Sequence, residues 1–508
     1  MTWLKWLVAG LLVLILAWLA GRLLFSVPDT ADRVPEQALS ADATTQLGQR
    51  AEEARGQHPG ESGVMKLSDG RAALRSRLRL ADAAERSIDA MYYIWHDDVS
   101  GMLLLDALRR AAQRGVRVRL LLDDNGIDAM DPVLAALNAM PTFNVRLFNP
   151  STVRRPKWLG YVLYPLRMNR RMHNKAFIVD GAAAIVGGRN IGDEYFAVGD
   201  VPGYLDLDVL GVGKVVADTV EVFDEYWNSQ PVLALEQVVA GQGDIGALDR
   251  AMANLPAASE LEGTAAERLR QGQAVLEWTD VQVIADDPAK GVGRVERSGL
   301  MIARLGQILR KVDRNLDLIS AYFVPGRTGA RFFAELAQSG AEVRILTNSW
   351  QATDVPMVHA GYVKYRREML EAGVKLFELK PLPDVPQGRA ELGSSGLSGG
   401  SLHAKTFSVD DSRIFIGSFN FDPRSALLNC EMGFLIDSDR LAATGARSMT
   451  DRLIPRSFQP VLTQDGAMIW RSEGPDGQTH LIAHEPGLGL RDRIAVYVLN
   501  VLPIEWLL

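Results

Sequence analysis

The sequence predicts an α/β protein made of two tandem α/β domains, related by an internal duplication, behind an N-terminal transmembrane helix. Strand-forming segments alternate with amphipathic helical segments along most of the chain. The same pattern of polar residues occurs once in each half, at 173–190 and 403–420. A long apolar segment near the N-terminus carries no charge between Lys5 and Arg22. These three features together indicate two related domains attached to a membrane.

The N-terminal apolar segment is long enough to cross a bilayer. Residues 6–27 number 22 and would span roughly 33 Å as a helix. A cleaved signal peptide is the alternative, but Trp18 or Leu19 would then precede the cut, where small residues are needed. We therefore expect an uncleaved single-pass anchor over residues 1–30 and a polar tether over 31–63. The flanking charges nearly balance, so the orientation of the helix stays open.

The first domain is predicted to cover residues 64–235. Its helical and extended segments follow one another in a regular order: a helix at 71–86, a strand at 87–95, a helix at 102–114 that ends at Gly115, and strands at 116–122 and 145–148. Because helices separate the strands, we expect βαβ units and a mostly parallel sheet.

The same order returns in the second domain, predicted at 281–508. A strand at 315–323 matches 87–95, the segment 337–346 matches 112–121, and 374–377 matches 145–148. Asp89 and His173 are 84 positions apart, and Asp317 and His403 are 86 apart, so a whole domain is duplicated. Residues 236–280 are predicted to be helical connecting material. The apolar C-terminus is expected to form a helix that packs on the domain or touches lipid.

Each half carries the pattern His-x-Lys-x4-Asp, followed after six residues by Gly-(Gly/Ser)-x-Asn. Its polar members are His173, Lys175, Asp180 and Asn190 in the first half and His403, Lys405, Asp410 and Asn420 in the second. Residues 176–179 and 182–186 are predicted to form a hairpin whose turn is Asp180–Gly181. In a strand, residues two apart share a face, so each His and Lys point the same way. Gly188 should then lie opposite His173 and leave room for a substrate.

The two aspartates of the pattern have the parity of the opposite strand face. We therefore assign Asp180 and Asp410 to the turns rather than to the chemistry.

Composition excludes several classes of function. The net charge of −7 argues against a general nucleic-acid binder. A single cysteine, Cys430, excludes an internal disulfide and a multi-cysteine zinc site. His480 and His484 have a spacing that could share a metal on a helix, but no Glu follows His480 and Gly and Pro surround both. We expect no metal and no cofactor.

Two imidazoles and two ammonium groups in one place suit a phosphate diester. The lysines would hold its non-bridging oxygens, and Asn190 and Asn420 would add amide donors. One imidazole would attack phosphorus while the other protonates the departing oxygen, and the second would then activate the incoming alcohol or water.

Each histidine needs a carboxylate to orient it. Glu431 follows His403 by 28 positions, and Asp206 and Asp208 lie on the corresponding strand after His173. The sequence aligns Asp208 with Glu431 and Asp206 with Asn429, which favours Asp208 slightly.

A basic segment precedes His173 and contains interleaved aromatic residues. Its cationic members are Arg154, Arg155, Lys157, Arg167, Arg170 and Arg171, and its aromatic ones Trp158, Tyr161 and Tyr164. Such a segment suits an anionic membrane surface, or it is a solvated loop. His359 has no counterpart in the first half and is either a head-group contact or an ordinary buried histidine.

The motif resembles that of the phospholipase D superfamily, His-x-Lys-x4-Asp-x6-Gly-(Gly/Ser)-x-Asn, usually present twice. Within it, longer strings resemble the bacterial cardiolipin synthases of the C type, from about residue 67 to the C-terminus. These strings are 171–175, 186–193, 286–291, 345–349, 358–362, 415–425 and 503–508.

The resemblance implies two phospholipase D-like domains that meet at a pseudo-twofold axis, with the motifs at the seam. It implies transfer of a phosphatidyl group from phosphatidylethanolamine to phosphatidylglycerol, giving cardiolipin, and a location in the bacterial inner membrane of undetermined sidedness. By analogy His173 is the nucleophile and His403 the acid and base. Arg171, Gly188, Ser418 and His359 are further candidates for substrate binding.

Three alternatives stay open at this point. Water in place of the alcohol would make the protein a phospholipase D-type hydrolase. A nucleic-acid phosphodiesterase is disfavoured by the anchor and the acidic chain, and an inactive scaffold by the intact His, Lys and Asn of both halves.

Overall fold

The computed structural model describes residues 2–127, 129–199, 203–254, 275–381, 401–474, 477–501 and 505. The strands of the first sheet are β1 (Ser62–Leu67), β2 (Ser87–Ile94), β3 (Arg117–Gly126), β4 (Phe143–Phe148), β5 (Ala176–Val179), β6 (Ala183–Gly187), β7 (Asp208–Gly213), β8 (Val232–Ala234) and β9 (Glu277–Thr279). Those of the second are β10 (Val281–Ala285), β11 (Asn315–Ser320), β12 (Glu342–Asn348), β13 (Lys375–Leu379), β14 (Lys405–Val409), β15 (Arg413–Gly417), β16 (Met432–Asp437), β17 (Ser457–Leu462), β18 (Met468–Glu473) and β19 (Thr479–Ile482).

Helices lie between these strands. They are α1 (Thr2–Leu24), α2 (Gln46–Gln57), α3 (Gly70–Ala83), α4 (Val99–Gln113), α5 (Asp131–Asn138), α6 (Leu159–Leu163), α7 (Pro165–Met168), α8 (Asp193–Phe196), α9 (Lys214–Trp227), α10 (Gly246–Asn254), α11 (Met301–Leu309), α12 (Gly326–Gln338), α13 (Pro356–Glu371), α14 (Pro423–Leu427), α15 (Asp439–Ser448) and α16 (Leu490–Val501). Local capping sets their ends. The carboxylates of Asp69 and Asp98 accept the amides of Ala72 and Gly101 at the start of α3 and α4, and Gly115 after α4 has φ +92°.

Six strands occur in the same order in the two sheets. The order is β4-β3-β2-β5-β6-β7 in the first sheet and β13-β12-β11-β14-β15-β16 in the second. Additional strands extend both sheets at their outer edges. The two tandem α/β domains predicted from the repeat are thus confirmed.

The prediction of a mostly parallel sheet was wrong. Only β2-β3-β4 and β11-β12-β13 run parallel, and every other pairing in the two sheets is antiparallel. The reason is the motif hairpin. Its first strand, β5 or β14, pairs directly and antiparallel with β2 or β11 instead of returning through a helix.

The hairpin turn holds three residues where two were predicted. Val179 pairs with Ala183, and both Asp180 (φ 51°) and Gly181 (φ 61°) are left-handed. The register is therefore shifted by one, and continued outward it sets Gly188 opposite Asn174 rather than His173.

Asp180 and Asp410 lie in these turns and fasten them to the neighbouring strand. The carboxylate of Asp180 accepts the backbone amides of Glu85, Arg86 and Ser87 at 3.1, 2.8 and 2.8 Å. Asp410 accepts the three amides of residues 313–315 in the same way.

The two halves share a buried seam. Val186 and Val209 of the first sheet belong to the same apolar cluster as Ile416 and Phe434 of the second. Across the seam the backbone amide of His173 donates to the carbonyl of Cys430 at 2.8 Å, and the reciprocal amide of His403 donates to Leu205 at 2.8 Å. This reciprocity is what a pseudo-twofold axis between the halves requires.

Helix α1 stands apart from the sheets. Its residues 3–24 are long and apolar enough to cross a membrane, and no part of that stretch is buried inside the protein. Its C-terminal end contacts α6.

Candidate active site at the seam

Both motif histidines lie where the two halves meet, each just before the first strand of its hairpin. Each is only 7% exposed, and Lys175 and Lys405 beside them are buried as well. The lysines of both halves lower the pKa of each histidine, so the four side chains lie within electrostatic reach of one another.

Each histidine is held by a carboxylate from the opposite half. His173 Nδ1 lies 2.8 Å from Glu431 Oε2, and His403 Nδ1 lies 2.6 Å from Asp206 Oδ2. Donation from Nδ1–H to the carboxylate leaves Nε2 of each ring as the nitrogen available for chemistry. Both carboxylates are buried at the seam, so the site exists only when the halves are joined.

The preference for Asp208 as an orienting residue was wrong. Asp208 pairs with Gly187 in the sheet, whereas Gly433 pairs with Gly417, so Asp206 is the counterpart of Glu431. The carboxylate of Asp208 instead binds the buried guanidinium of Arg77 at 2.9 Å.

Gly188 and Ser418 hold corresponding positions next to the two carboxylates. A Cβ atom on Gly188 would lie 2.2 Å from Asp206 Oδ1, so only glycine leaves room for that carboxylate. Ser418 donates its hydroxyl to Glu431 Oε2 at 2.5 Å. The structure thus places both residues behind the histidines, supporting the carboxylates.

The lysine and asparagine side chains line the same site. Lys175 Nζ donates to the carbonyl of His173 at 2.6 Å, and Lys405 Nζ lies 2.9 Å from His403 Nδ1. Asn190 and Asn420 accept the amides of Ile94 and Tyr322 through Oδ1, both at 3.3 Å. These hydrogen bonds fix the orientation of each side-chain amide.

Burial dominates the electrostatics of the site. Burial is the main reason why the pKa of His173 is lowered to about 4 and that of His403 to about 3; the nearby lysines act in the same direction and the carboxylates oppose. It also lowers the pKa of Lys405 to about 8 and that of Lys175 well below its ordinary value. The free site therefore favours neutral imidazoles, and an anionic ligand would stabilise the positive charges that burial disfavours.

For Glu431 and Asp206, attraction to the neighbouring cationic groups outweighs the effect of burial on the pKa. Burial raises the pKa of Glu431 and of Asp206, but the neighbouring histidine and lysine outweigh it and the net shift is downward. Both groups are consequently ionised and able to accept the imidazole N–H.

Several aromatic residues of the site were missed by the sequence reasoning. Tyr93 lies 5.1 Å from His173 between ring centroids, and Tyr195 and Tyr204 lie 5.1 and 5.4 Å from His403. Beside them Tyr322 donates its hydroxyl to Asp354 at 2.6 Å. Burial raises the pKa of Asp354. Tyr322 aligns with Ile94 of the first half, so a comparison of the two halves does not identify it as a site residue.

Two of the predicted substrate contacts were wrong. The guanidinium of Arg171 is buried and bound to Asp123 at 3.1 Å and to the carbonyl of Asn149 at 2.9 Å, so it braces the segment before His173. His359 is buried, and its Nε2 lies 2.6 Å from Glu485, which also binds Arg366. Of the two interpretations, an ordinary buried histidine therefore describes His359, and a head-group contact does not.

Away from the seam, one group of side chains among the described residues could bind a metal ion. His96, Asp98 and Glu194 offer ligand atoms within 4.8 Å of one another, but the Asp98 oxygens already accept the amides of Gly101 and Asp193. His480 lies in β19 and His484 beyond it, so the helical spacing considered from the sequence does not apply.

Residues 78–206 and 305–452 match the family described as "Cardiolipin synthase, PLD-like domain". Cardiolipin synthase C of Escherichia coli (strain K12) is 42% identical over 465 residues, covering 89% of this chain and 97% of that protein. Cardiolipin synthase B of Shigella flexneri is 26% identical over 441 residues, covering 84% and 89%. The crystal structure of phosphatidylserine synthase from Haemophilus influenzae Rd KW20 superposes with a TM-score of 0.57 at 16% identity, covering 90% of this chain and 100% of that one.

Two similar domains with paired histidines at their seam define an enzyme of the phospholipase D superfamily. The family match covers more than half of the chain, and the relative with 42% identity aligns with nearly all of it. The chain belongs to the cardiolipin synthase family of that superfamily, and with it to the phosphatidyltransferases of phospholipid metabolism.

Proposed function

We propose that this protein transfers a phosphatidyl group from phosphatidylethanolamine to phosphatidylglycerol, giving cardiolipin and ethanolamine, through a phosphohistidine intermediate. The observation that supports it most is the reciprocal pairing of His173 with Glu431 and His403 with Asp206 in one buried, lysine-lined site. The related enzymes named cardiolipin synthase support cardiolipin as the product. We further propose that α1 anchors the protein in the bacterial inner membrane.

The donor binds with its phosphate between the two lysines. Lys175 and Lys405 then face the non-bridging oxygens, and the Nδ2 amides of Asn190 and Asn420 add donors for the charge that grows in the transition state. Binding of the anion raises the pKa of the buried histidines, so one imidazole can carry a proton while the other stays neutral.

In the first step neutral His173 attacks phosphorus through Nε2. The phosphorus–oxygen bond to ethanolamine breaks, and protonated His403 gives its proton to the departing oxygen. In the second step His403 takes a proton from a hydroxyl of phosphatidylglycerol, whose oxygen attacks phosphorus and releases His173. Glu431 stabilises His173 while the ring carries positive charge.

The choice of phosphatidylethanolamine as donor has support in the site itself. The carboxylate of Asp354 is held by Tyr322 next to Lys405, and Tyr195 and Tyr204 lie close to it. A carboxylate among aromatic rings is the chemistry that binds an ammonium group. Asp354→Asn should therefore reduce turnover of phosphatidylethanolamine more than turnover of phosphatidylglycerol when each is the sole donor.

The test of the reaction is to incubate the purified full-length protein with phosphatidylethanolamine and phosphatidylglycerol and to analyse the lipids. We expect cardiolipin and free ethanolamine from the wild type and from His480→Ala, an exposed histidine, and neither from His173→Ala or His403→Ala.

Phosphatidic acid without cardiolipin would show a hydrolase instead. Cleavage of DNA by the wild type but not by His173→Ala would show a nucleic-acid phosphodiesterase. A lipid phosphate trapped on the peptide of His173 rather than His403 would identify the nucleophile.

A further inference from the structure

The segment of α6 and α7, residues 158–168, exposes large apolar side chains to the surroundings. Trp158, Val162 and Leu166 are 62%, 51% and 67% exposed, and they are spaced four residues apart. On the other side of the same segment Leu163 and Met168 are buried. The segment is thus amphipathic, and its apolar outer side has no cover among the described residues.

Helix α1 is fastened directly to this segment. Trp18 Nε1 donates to the carbonyl of Val162 at 2.9 Å, and the hydroxyl of Tyr164 donates to the carbonyl of Arg22 at 3.2 Å. A Cβ atom on Gly21 would lie 2.9 Å from the side chain of Leu163, so the two helices are in close contact.

The contact has the composition of a membrane–water interface. The guanidinium of Arg22 lies 4.9 Å from the ring of Trp18 and 4.7 Å from that of Tyr164. Trp, Tyr and Arg are the residues that prefer the head-group region at the end of a membrane-spanning helix. α1 has the length and composition of a membrane span, and if it crosses a bilayer, the α6–α7 segment is at the depth where that span leaves it.

Ion pairs within the protein reduce the electrostatic attraction that this surface offers to anionic lipid. Arg154 is bound by Asp124 and Asp131, and Lys157 and Arg171 by Asp124 and Asp123. Half of the basic residues singled out in the sequence are therefore neutralised within the protein. The exposed groups at this surface are mainly apolar, which suits insertion among lipid chains more than attraction to anionic head groups.

We propose that the α6–α7 segment is an in-plane membrane segment, which inserts Trp158, Val162 and Leu166 into the leaflet where α1 ends. His173 follows Met168, the last residue of α7, by five positions, and Arg424 of the second half donates to the carbonyl of Asn169 in between. The insertion therefore sets the depth at which the seam faces the lipid phosphates. The partner is a lipid bilayer, whatever its head-group charge.

The test uses the full-length protein in phosphatidylcholine vesicles. The single natural cysteine, Cys430, is buried, so cysteines introduced as Trp158→Cys, Val162→Cys or Leu166→Cys can be labelled one at a time with an environment-sensitive fluorophore. Leu481→Cys, at an apolar residue of similar exposure (66%) on β19, is the matched control.

We expect nitroxide-labelled lipids to quench the three labels in the segment and to leave the label at position 481 unquenched. The quenching should not change when phosphatidylglycerol is added or the salt concentration is raised. Water-like emission at all three positions would overturn the proposal, and quenching only in anionic vesicles would replace insertion by charge attraction.

A second measurement links insertion to catalysis and rests on the proposed function. The combined variant Trp158→Ser, Val162→Ser, Leu166→Ser should lose about tenfold in turnover of bilayer substrate, because the lost apolar burial weakens seating on the membrane. Turnover of detergent-dispersed short-chain phospholipid should match that of Leu481→Ser. Equal loss in both assays would contradict a role in membrane seating. The quenching result does not depend on activity, so the two proposals can fail separately.

Discussion

At the residue scale, neither half of the molecule orients its own motif histidine. Glu431 reaches His173 and Asp206 reaches His403 across the seam, at 2.8 and 2.6 Å. Both contacts run across the seam, one in each direction. The Nδ1–H tautomer of both rings therefore depends on the docking of the two halves. A displacement of one half would thus disturb both histidines at once.

Removing either carboxylate charge should inactivate the enzyme without unfolding it. We expect Glu431→Gln and Asp206→Asn to lower kcat on the order of 10²- to 10⁴-fold, because the imidazole loses both its orientation and the partner for its positive charge. Steady-state kinetics with matched thermal unfolding curves would check this.

Asp208→Asn is the control for that pair of variants. It disturbs the buried contact with Arg77, so it should lower the melting temperature while the folded fraction keeps its kcat. A loss of kcat as large as in Asp206→Asn would mean that the histidine contact is not the cause.

The alkaline limit of activity should reflect the lysines. Burial lowers the pKa of Lys405 to about 8 and also lowers that of Lys175. In the free enzyme these ammonium groups are charged below their pKa and lose the proton as the pH rises through it. We therefore expect kcat/KM to fall on the alkaline side, starting at or below about pH 8. Lys364→Arg, at a half-exposed lysine, should leave the pH profile unchanged, and a profile flat up to the ordinary pKa of lysine would contradict the assignment.

Residue-level prediction from the sequence succeeded where the repeat supplied two aligned copies. His173, Lys175 and Asn190 have exact counterparts, so their shared location could be inferred from spacing alone. Asp354 and Tyr204 have no such counterpart, and a lone acidic or aromatic residue looks the same in a loop as in a site. The sequence places Asp206 below Asp208 because the insertion before β7 leaves the alignment of that strand uncertain by two residues.

At the scale of elements, the motif hairpins serve as fixed supports for the histidines. Each turn is bound through one aspartate to three backbone amides at the start of the neighbouring parallel strand. The aspartate of the family motif is thereby explained as a structural residue of the turn.

Asp180→Ala should cost stability more than catalysis. The change leaves one buried and two part-buried amides without their acceptor and places alanine at a φ of 51°, which together destabilise by about 2–4 kcal/mol. Asp180→Asn keeps an acceptor and tolerates the left-handed backbone, so it should lose less than half as much. Chemical denaturation of the two variants would measure the difference, and equal losses would refute the acceptor role.

The order of helices and strands followed from their hydrophobic patterns, because these record which side of each element is buried. The direction of each strand and its pairing partners did not follow from these patterns. Whether β5 adds to the sheet parallel or antiparallel depends on its contact with β2. The two strands are 82 or more positions apart in the sequence, so only tertiary packing brings them together. The three-residue turn likewise depends on the amides that Asp180 binds, which lie outside the hairpin.

At the scale of the whole molecule, the duplication produces one site from two incomplete ones. The apolar cluster at the seam contains residues of both sheets, and the carboxylate pairs lie beside it. The domain bounds at 64–235 and 281–508 stay a prediction. The shared core nevertheless implies that the halves are stable as a pair and not as separate units.

Because both histidines of a site come from one chain, two inactive variants should not rescue each other. A mixture of His173→Ala and His403→Ala, co-expressed and co-purified, is expected to have no more activity than either variant alone. If the halves instead exchanged between chains, a mixed dimer would contain one site with two intact histidines and one with none, and activity would return to a fraction of the wild-type level. Co-expression of wild type with either variant is the control for expression and membrane insertion. Recovered activity in the mixture would show that the seam forms between chains, and the contacts between His173 and Glu431 and between His403 and Asp206 would then have to be assigned to different copies.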